Sequence, residues 1–543
     1  MSEYEKILRE IGAFGPYQVR VFILVSMFET PLAWAMLLPM LLNGAPDWSC
    51  GVDVSNITDV WTNNTVNVTR SHWVNQTSDT CSSDGGVCEN ITFSKEYTSI
   101  VTEFSLICDQ SSVPNWITTI QMTGVLFGAL LTGQLADLIG RRKVLFLEYS
   151  MLLVFWFASA YSPSWQVYAV LRFFIGALIG GTLVVNFVLP LEFVTPEWRT
   201  FCGCVGFWAV GLMVLGLWGY LIQRWQTLVM ASVISSIFIL FTWWFIPESP
   251  RWLLSKGRLK EAEEILSAMA LFNKKSIPNF TTLQESVELE QRKQTTAKKY
   301  SYWHLFTPRK QARASILVMY GWFVASAAYY GLTLSAGKLA GNRYLNIFLS
   351  GLVEIPALVF VLVVNNRLGR RKTVSGLMLL GGACCFSILF IDLGGKLKSW
   401  SVAVIILAML GKMGITGGWA AVQVFSAESF PTVIRNIGVG ACSVSARIGG
   451  IVAPLIMDLG SEHKAVPFTV FGIIAIVCGI LILFVPETSG VPLADLVLLK
   501  ERKNGSTMPT VQYSDICNNA DSFVDIGLNR DEVNIHDTDN LDP

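Results

Sequence analysis

The chain writes one stretch twice. About a third of the way along it reads Glu192-Phe-Val-Thr-Pro196-Glu-Trp-Arg199-Thr-Phe-Cys-Gly203, and much later Glu428-Ser-Phe-Pro431-Thr-Val-Ile-Arg435-Asn-Ile-Gly438. Each copy keeps the same Glu-to-Arg spacing around a proline, closes one long apolar segment and opens the next. Other pairs repeat at nearly that offset: Asp137-Leu-Ile-Gly140-Arg141-Arg142-Lys143 with Asn366-Arg-Leu-Gly369-Arg370-Arg371-Lys372, and Pro247-Glu248-Ser249 with Pro486-Glu487-Thr488. A repeat at half the length outranks local signals in setting a fold. In an apolar chain it predicts two similar half-proteins facing each other, with a substrate path between them.

The segments joined by these loops have membrane length. Crossing ~30 Å of hydrocarbon takes about 20 apolar residues, and such segments are read at 19-41, 114-136, 144-162, 166-190, 201-223, 226-246, 314-335, 346-366, 373-393, 399-427, 437-458 and 467-485. Numbered 1 to 12, they predict an all-α polytopic membrane protein of two pseudo-symmetric six-helix bundles. Composition agrees, with 52% of the 543 residues hydrophobic and 15% charged, beyond the soluble norm in both directions. The formal net charge of zero gives no electrostatic reason to expect nucleic acid as a partner.

The expected organisation is a cytoplasmic N-terminus (1-18), an N-terminal bundle (19-246), a cytoplasmic linker (247-313), a C-terminal bundle (314-486) and a cytoplasmic tail (487-543), Asp-rich and disordered from about 504. No cleavable signal is expected, because the first 18 residues are polar and the apolar run after them is too long for a signal core. Tyr4, Ile7, Leu8 and Ile11 outline a short amphipathic helix at the inner interface.

Residues 42-113, inside the N-terminal bundle, form a large loop whose side of the membrane can be argued independently. It holds five Asn-X-Ser/Thr sequons, at Asn56, Asn63, Asn67, Asn75 and Asn90, which only luminal machinery can glycosylate. It also holds Cys50, Cys81, Cys88 and Cys108, which in an oxidising compartment favour two disulfides with three connectivities open. Arg141, Arg142, Lys143, Arg199, Arg367, Arg370, Arg371, Lys372 and Arg435 sit on the opposite loops, so the positive-inside rule gives the same orientation. Both signals suit a multi-pass plasma-membrane protein with cytoplasmic termini, and the extracellular loop offers a surface for a homo-oligomer.

Two sets of residues carry functional expectations. At the cytoplasmic helix ends, Asp137, Glu192, Glu248, Glu428 and Glu487 with Arg141, Arg142, Arg199 and Arg435 are expected to form ion pairs that gate the inner side, the alternative being that they only anchor helix ends and set topology. Each pair is worth about 0 to 1 kcal/mol at a wet interface, and a cluster biasing one of two states needs only a few kcal/mol. Within the spans, Glu29, Arg172, Glu354, Lys412 and Arg447 cannot face lipid cheaply, at roughly 2.5 to 3.5 kcal/mol each. Glu29-Thr-Pro31 and Glu354-Ile-Pro356 each place a carboxylate two residues before a helix-interrupting proline, where a bend can open the acid to a cavity. The alternative is mutual neutralisation, Glu354 with Arg447 or Lys412. Arg172, in a Gly-rich face with Gly176, Gly180 and Gly181, reads as packing. Trp322, Ser326, Tyr329 and Thr333 share one face of segment 7, where rings can hold an organic cation at about 0.5 to 2 kcal/mol each. Phe207, Trp208 and Trp218 on segment 5 are read the same way, with ordinary packing as the competing account.

Enzymatic chemistry finds little support. The four histidines (His72, His304, His463, His536) lie outside the spans, and no metal-ligand spacing, phosphate-binding glycine loop or nucleophile with a partnered base is present. No cofactor is expected.

Gly133-Gln-Leu-Ala-Asp137-Leu-Ile-Gly140-Arg141-Arg142-Lys143 resembles the loop signature of the major facilitator superfamily, with Leu138 where that signature carries arginine. Pro247-Glu-Ser-Pro-Arg-Trp-Leu-Leu254, Tyr329-Tyr-Gly-Leu332, Val353-Glu-Ile-Pro356 and Ala427-Glu-Ser-Phe-Pro-Thr-Val-Ile-Arg-Asn-Ile-Gly438 narrow this to a resemblance to the organic cation, anion and zwitterion transporter family, over essentially residues 1-500. The resemblance implies a carrier of small organic ions. Where the family's organic cation carriers have acids in segments 7 and 11, this chain has Ala325 and Arg447; Arg447 looks like the arginine of the anion and carnitine branches. Glu354, Trp322 and Tyr329 resemble cation-branch and carnitine-branch residues. Glu29 has no counterpart in the family's pattern.

Glu29 and Glu354 balance Lys412 and Arg447, which suits an ammonium bearing a carboxylate, as in carnitine, as well as a plain cation. The expected function is therefore a polyspecific carrier of organic cations or zwitterions working by alternating access. Trp322, Tyr329 and Glu354 would receive the ammonium and Arg447 a carboxylate or, with simple cations, a chloride; Lys412, Glu29 and Phe207 complete the expected substrate-binding set. The runner-up is an organic anion exchanger, which the two acids oppose; from another class, a non-transporting receptor or scaffold would use the large loop and tail.

Overall fold

All twelve expected segments are helical in the computed structural model, which describes residues 3–51, 90–283, 302–307, 309–339, 341–396, 399–431, 434–460 and 465–488. In the first half, segment 2 is Val113–Ile139, segment 3 Arg141–Ser159 and segment 4 Trp165–Leu191. Segment 5 is Pro196–Cys204 with Trp208–Leu221, and segment 6 is Trp225–Ile237 ending in a 3-10 turn. In the second half, segment 7 is Arg309–Ser335, segment 9 Arg370–Leu393, segment 10 Ser401–Ser429, segment 11 Arg435–Asp458 and segment 12 Val466–Ile482. Ten of the described helical stretches are long and apolar enough to cross a membrane. Segment 3 misses that test because Arg142, Lys143 and Glu148 load its window with charge, and segment 12 because it has only 17 residues.

Segments 1 and 8 are broken, and both breaks fall where the carboxylate-proline pairs stand. Segment 1 runs Pro16–Ser26, then resumes at Glu29–Leu37; segment 8 runs Arg343–Leu352, then resumes at Glu354–Leu368. Pro31 and Pro356 have no N–H to return to the preceding turn, so the helix lapses just before each acid. Glu29 and Glu354 are each the first residue of a restarted helix.

Close backbone contact sets the packing within each half. A Cβ at Gly124 or Gly128 would strike the main chain of Phe173 or Ala177, and one at Gly176 or Gly180 would strike the carbonyls of Gln121 or Val125. Segments 2 and 4 therefore touch along a stripe of small residues, the usual device where lipid offers no hydrophobic drive. Between halves, segment 5 packs on segment 8 and segment 2 on segment 11. A twofold relation that exchanges segments n and n+6 converts one of these contacts into the other.

The linker also has structure. Ser249 caps the helix Pro250–Ser255 through the Trp252 N–H, 3.1 Å away, and the expected helix at 258-266 is found as Leu259–Phe272. Asn273 just after it accepts from the Tyr17 N–H at 3.0 Å and donates to the Ile11 carbonyl and Gln18 Oε1. The N-terminal helix Glu3–Ile11 buries its apolar face (Tyr4, Ile7, Leu8, Ile11) against the protein itself, near that linker helix, instead of lying on lipid. The end of the bundle carrying these elements is called the linker end below, and the other the loop end.

In the large loop, Trp48–Gly51 pairs antiparallel with Asn90–Phe93, so Cys50 faces Ile91 in register, and Cys108 is disulfide-bonded. Asn56, Asn63, Asn67, Asn75, Cys81 and Cys88 lie outside the described residues, as do most of the surface considered for self-association and the tail from 489.

Candidate functional site

The predicted mid-span charges are brought together selectively. Lys412 Nζ lies 2.9 Å from Glu354 Oε1, with side chains 2% and 4% exposed. Lys412 also donates to Ser350 Oγ, one turn before Glu354 on segment 8. Tyr329 Oη donates to the same Glu354 oxygen at 2.8 Å and accepts from Trp208 Nε1 at 2.8 Å. The Lys412 ammonium sits 5.2 Å from the centre of the Tyr329 ring, so that face is occupied by the protein's own cation. The result is one hydrogen-bonded chain, Trp208–Tyr329–Glu354–Lys412–Ser350, running from segment 5 of one half through segments 7, 8 and 10 of the other. Two buried opposite charges at this separation satisfy each other, and the neutralisation alternative for Glu354 is the arrangement seen.

The main chain of Trp208 extends that chain. Its N–H donates to Glu29 Oε2 at 3.2 Å, and Asn186 Nδ2 lies 3.4 Å from Glu29 Oε1. A Cβ at Gly206 would collide with this carboxylate, so the glycine makes room for it. Glu29 is partly exposed and has no ion-pair partner among the described residues. Arg447 is partly exposed too; its buried Nε has no hydrogen-bond partner, and no described carboxylate pairs with it. It acts electrostatically on Tyr330, whose ring a Cβ at Gly450, one turn on, would touch at 3.4 Å.

Aromatic rings surround this set. Tyr329, Tyr330 and Trp419 pack edge to face with centroids 5.3 to 6.2 Å apart. Trp322 is partly buried, with its indole N–H buried and unpartnered. Phe207 is partly buried, and its carbonyl lies 3.4 Å from Thr30 Oγ1. Ser326 and Thr333 are buried, the Thr333 hydroxyl bonding back to the Tyr329 carbonyl at 2.6 Å. Trp218 stacks on Trp34 at 5.4 Å, which is packing. Arg172 is buried against Tyr168, 2.9 Å from its hydroxyl, and donates to the Ala35 carbonyl, as the Gly-rich face implied.

Sequence reasoning passed over Trp419, Tyr330 and Ser350. Trp419 stands two turns from Lys412 and Ser350 one turn from Glu354, so helical periodicity could have found both. It also passed over Glu148, a buried acid of segment 3 bonded to Thr132 Oγ1, although its position inside a span was the signal.

A cavity of about 540 Å³ opens one to two turns further toward the loop end, lined among others by Met40, Tyr97, Asn115, Lys338, Arg343 and Met457. None of the predicted substrate residues lines it, but Leu334 and Pro454, which do, stand one turn from Tyr330 and two turns from Arg447. Two links join the halves around it: Asn115 Nδ2 to Asp458 Oδ1 at 2.8 Å, and the Arg343 guanidinium to the Leu41 and Met40 carbonyls at 2.9 and 3.2 Å.

At the linker end the duplicated sequences fold into duplicated devices. Glu248 Oε1 accepts from the main-chain N–H groups of Arg141, Arg142 and Ser249 at 2.9, 3.0 and 3.1 Å. Glu487 Oε1 accepts from those of Arg370 and Thr488 at 2.8 and 3.1 Å, and its carboxylate also takes the Arg371 N–H. Each carboxylate thus caps the orphan donors at the start of segment 3 or 9, where the helix dipole favours negative charge. The chain enters each helix through a glycine at positive φ, Gly140 at 111° and Gly369 at 88°, a backbone other residues rarely adopt. Arg141 pairs with Asp137 at 2.7 Å and Glu192 at 3.5 Å, and Arg370 with Glu428 at 3.2 Å. Arg142 donates to the Trp243 carbonyl at 2.6 Å. Arg199 reaches back to Glu5 at 3.3 Å, and Arg9 to Glu197 at 2.6 Å, so the N-terminal helix joins this layer. Arg435 opens segment 11. Burial holds the Glu192 carboxyl above the usual range, partly offset by Arg141.

Comparison with known proteins agrees with this architecture. The sugar (and other) transporter family matches residues 57–497. An organic cation transporter protein of Drosophila melanogaster is 32% identical over 518 residues, covering 91% of this chain and 94% of its own. The organic cation/carnitine transporter 2 of Mus musculus is 32% identical over 532 residues, covering 92% and 94%. Among solved structures, the xylose transporter XylE from E. coli, partially occluded and inward open, superposes with a TM-score of 0.59 at 14% identity, over 88% of this chain and all of that one. That likeness shows the fold, and the relatives are transporters, not enzymes. With the family match spanning most of the sequence and the relatives aligned along nearly all of it, the chain belongs to the sugar (and other) transporter family and has the major facilitator fold.

Proposed function

We propose that the chain carries organic cations and zwitterions of the carnitine type across the plasma membrane by alternating access, with both termini in the cytoplasm. One observation carries the substrate reading. Glu354 and Lys412 neutralise each other, which leaves Glu29 and Arg447 as partly exposed charges of opposite sign, one in each half and neither ion-paired among the described residues. Charges in a span avoid lipid, so both turn toward the interior. A substrate with an ammonium and a carboxylate matches them; the name of the mouse relative, an organic cation/carnitine transporter, favours that chemistry, and the fly relative's name favours an organic cation.

In this reading Arg447 takes the carboxylate, and Glu29 with the rings of Tyr330, Trp419, Trp322 and Phe207 takes the ammonium. Glu354 and Lys412 hold Tyr329 and Trp208 in place. The two linker-end clusters, Arg141–Glu192–Glu248 and Arg370–Glu428–Glu487, act as the gate on the cytoplasmic side, which the basic residues gathered there and the sequons on the opposite loop both favour. The test is uptake of radiolabelled carnitine and tetraethylammonium by cells expressing Arg447→Ala. Carnitine transport should be lost while tetraethylammonium transport persists; equal loss of both would overturn the carboxylate role.

A further inference from the structure

The loop-end cavity is a cationic vestibule. Among the described residues its lining includes Lys338 and Arg343 and no carboxylate. Arg343 bridges to the Met40 and Leu41 carbonyls through its terminal nitrogen, stacks on Tyr97 at 4.2 Å, and keeps a buried Nε without a hydrogen-bond partner. Lys338 is exposed toward the cavity and makes no hydrogen bond or ion pair among the described residues. The acid that acts on it, Asp458, is engaged by Asn115 from the other half. Glu96 acts on Tyr97 from outside the lining. The remaining wall is largely apolar, with Met40, Leu334, Met457 and Phe468.

Two cations with unfilled donor capacity over an apolar wall recognise a carboxylate on a small organic body. We infer that this vestibule is a first binding site for the carboxylate of an incoming organic zwitterion or anion, held by Lys338 and Arg343 before it passes to the interior. The inference rests on the transport reading above for its direction of travel. Met457 and Pro454 stand on the same helix as Arg447, at about 1.5 Å rise per residue, so a carboxylate leaving Lys338 descends some 10 to 15 Å to reach the next unpaired guanidinium. A plain cation meets two like charges here, so removing Lys338 does not weaken its entry.

Lys338→Ala removes the site without removing a hydrogen bond, and so leaves the fold intact. Its KM for carnitine should rise about tenfold with kcat unchanged, its KM for tetraethylammonium should stay level or fall, and Lys338→Arg should restore the carnitine value. An unchanged carnitine KM, or equal rises for both solutes, overturns the inference. Replacing chloride with methanesulfonate separates a substrate carboxylate from an inorganic anion: an effect of Lys338→Ala on the carnitine KM that disappears in chloride-free medium assigns the site to chloride and overturns the inference as stated. A second arm does not depend on transport. In Leu339→Cys, a lining position, an anionic methanethiosulfonate should react about tenfold faster than a cationic one, and adding Lys338→Ala should erase that preference. If the parent protein moves neither solute, the transport reading fails, and the thiol rates still decide the vestibule: a preference that Lys338→Ala leaves intact sinks it.

Discussion

Lys412 Nζ and Glu354 Oε1 lie 2.9 Å apart in the middle of the bundle, each side chain almost wholly buried. The pair joins segments 8 and 10 of the C-terminal half, and Tyr329 and Ser350 complete its shell. Removing one member leaves the other charged and uncompensated in a dry interior, a loss of about 3 to 5 kcal/mol, whereas removing both can be nearly neutral. Glu354→Gln and Lys412→Met should each lower the thermal unfolding midpoint of the detergent-purified protein sharply, and the double variant should recover most of the loss. Additive losses in the double variant would mean that the two charges have separate partners.

Trp208 and Tyr329 meet across the two halves. The indole N–H to hydroxyl bond of 2.8 Å is worth about 0.5 to 1.5 kcal/mol, small for a fold but enough to move a two-state equilibrium up to about tenfold. Trp208→Phe keeps a ring and deletes the donor. Spin labels at the exposed loop-end positions Tyr161 and Lys396 should report a broader or shifted distance distribution in that variant. Adding Tyr329→Phe should change the distribution no further, since the shared bond is already gone; a further large shift would show that Tyr329 acts through Glu354 instead.

The glycine contact between segments 2 and 4 makes a sharper stability prediction. Gly176 faces the Gln121 carbonyl with no room for a methyl group, so Gly176→Ala must push two helices apart. The cost expected for such overpacking is about 1 to 3 kcal/mol. Gly133→Ala, where a Cβ meets nothing within 4 Å, is the control on the same pair of helices and should be neutral or better by melting midpoint. Equal effects at the two glycines would remove the steric argument.

Much of this architecture could be read from residue order because the loops are copied. The two Gly-Arg-Arg-Lys stretches fold into the same cap, with Glu248 and Glu487 in matching roles. The carboxylate-proline pairs marked where segments 1 and 8 break. What residue order left open was pairing between helices. Glu354 could meet Lys412 or Arg447, and the decision rests on how segments 10 and 11 are rotated, which a helical period gives only within one helix. The N-terminal helix was legible as amphipathic, but its apolar face could dock on protein or lipid equally well, and Asn273 and the linker helix decided for protein. The loop-end cavity had no motif, because it is assembled from the ends of many segments.

Glu192 gives a prediction with a sign. Burial raises its carboxyl above the ordinary Glu value, and Arg141 only partly offsets that. The folded protein therefore binds this proton more tightly than the unfolded chain does. Above the unfolded value, near pH 4.3, the folded state begins to carry a penalty for ionising Glu192, and the penalty is complete once the pH exceeds the folded value. Acidification from neutrality should thus relieve the strain and stabilise the linker end, the reverse of what a salt bridge with a depressed carboxyl would do. Melting midpoints of the wild type and Glu192→Gln, measured between neutrality and mild acid, should converge as the pH falls through the folded value, with the wild type showing the larger gain on acidification. A wild type that loses stability over that interval relative to Glu192→Gln would mean that the Arg141 contact outweighs burial and that the linker-end cluster is held together by charge instead of being poised to release.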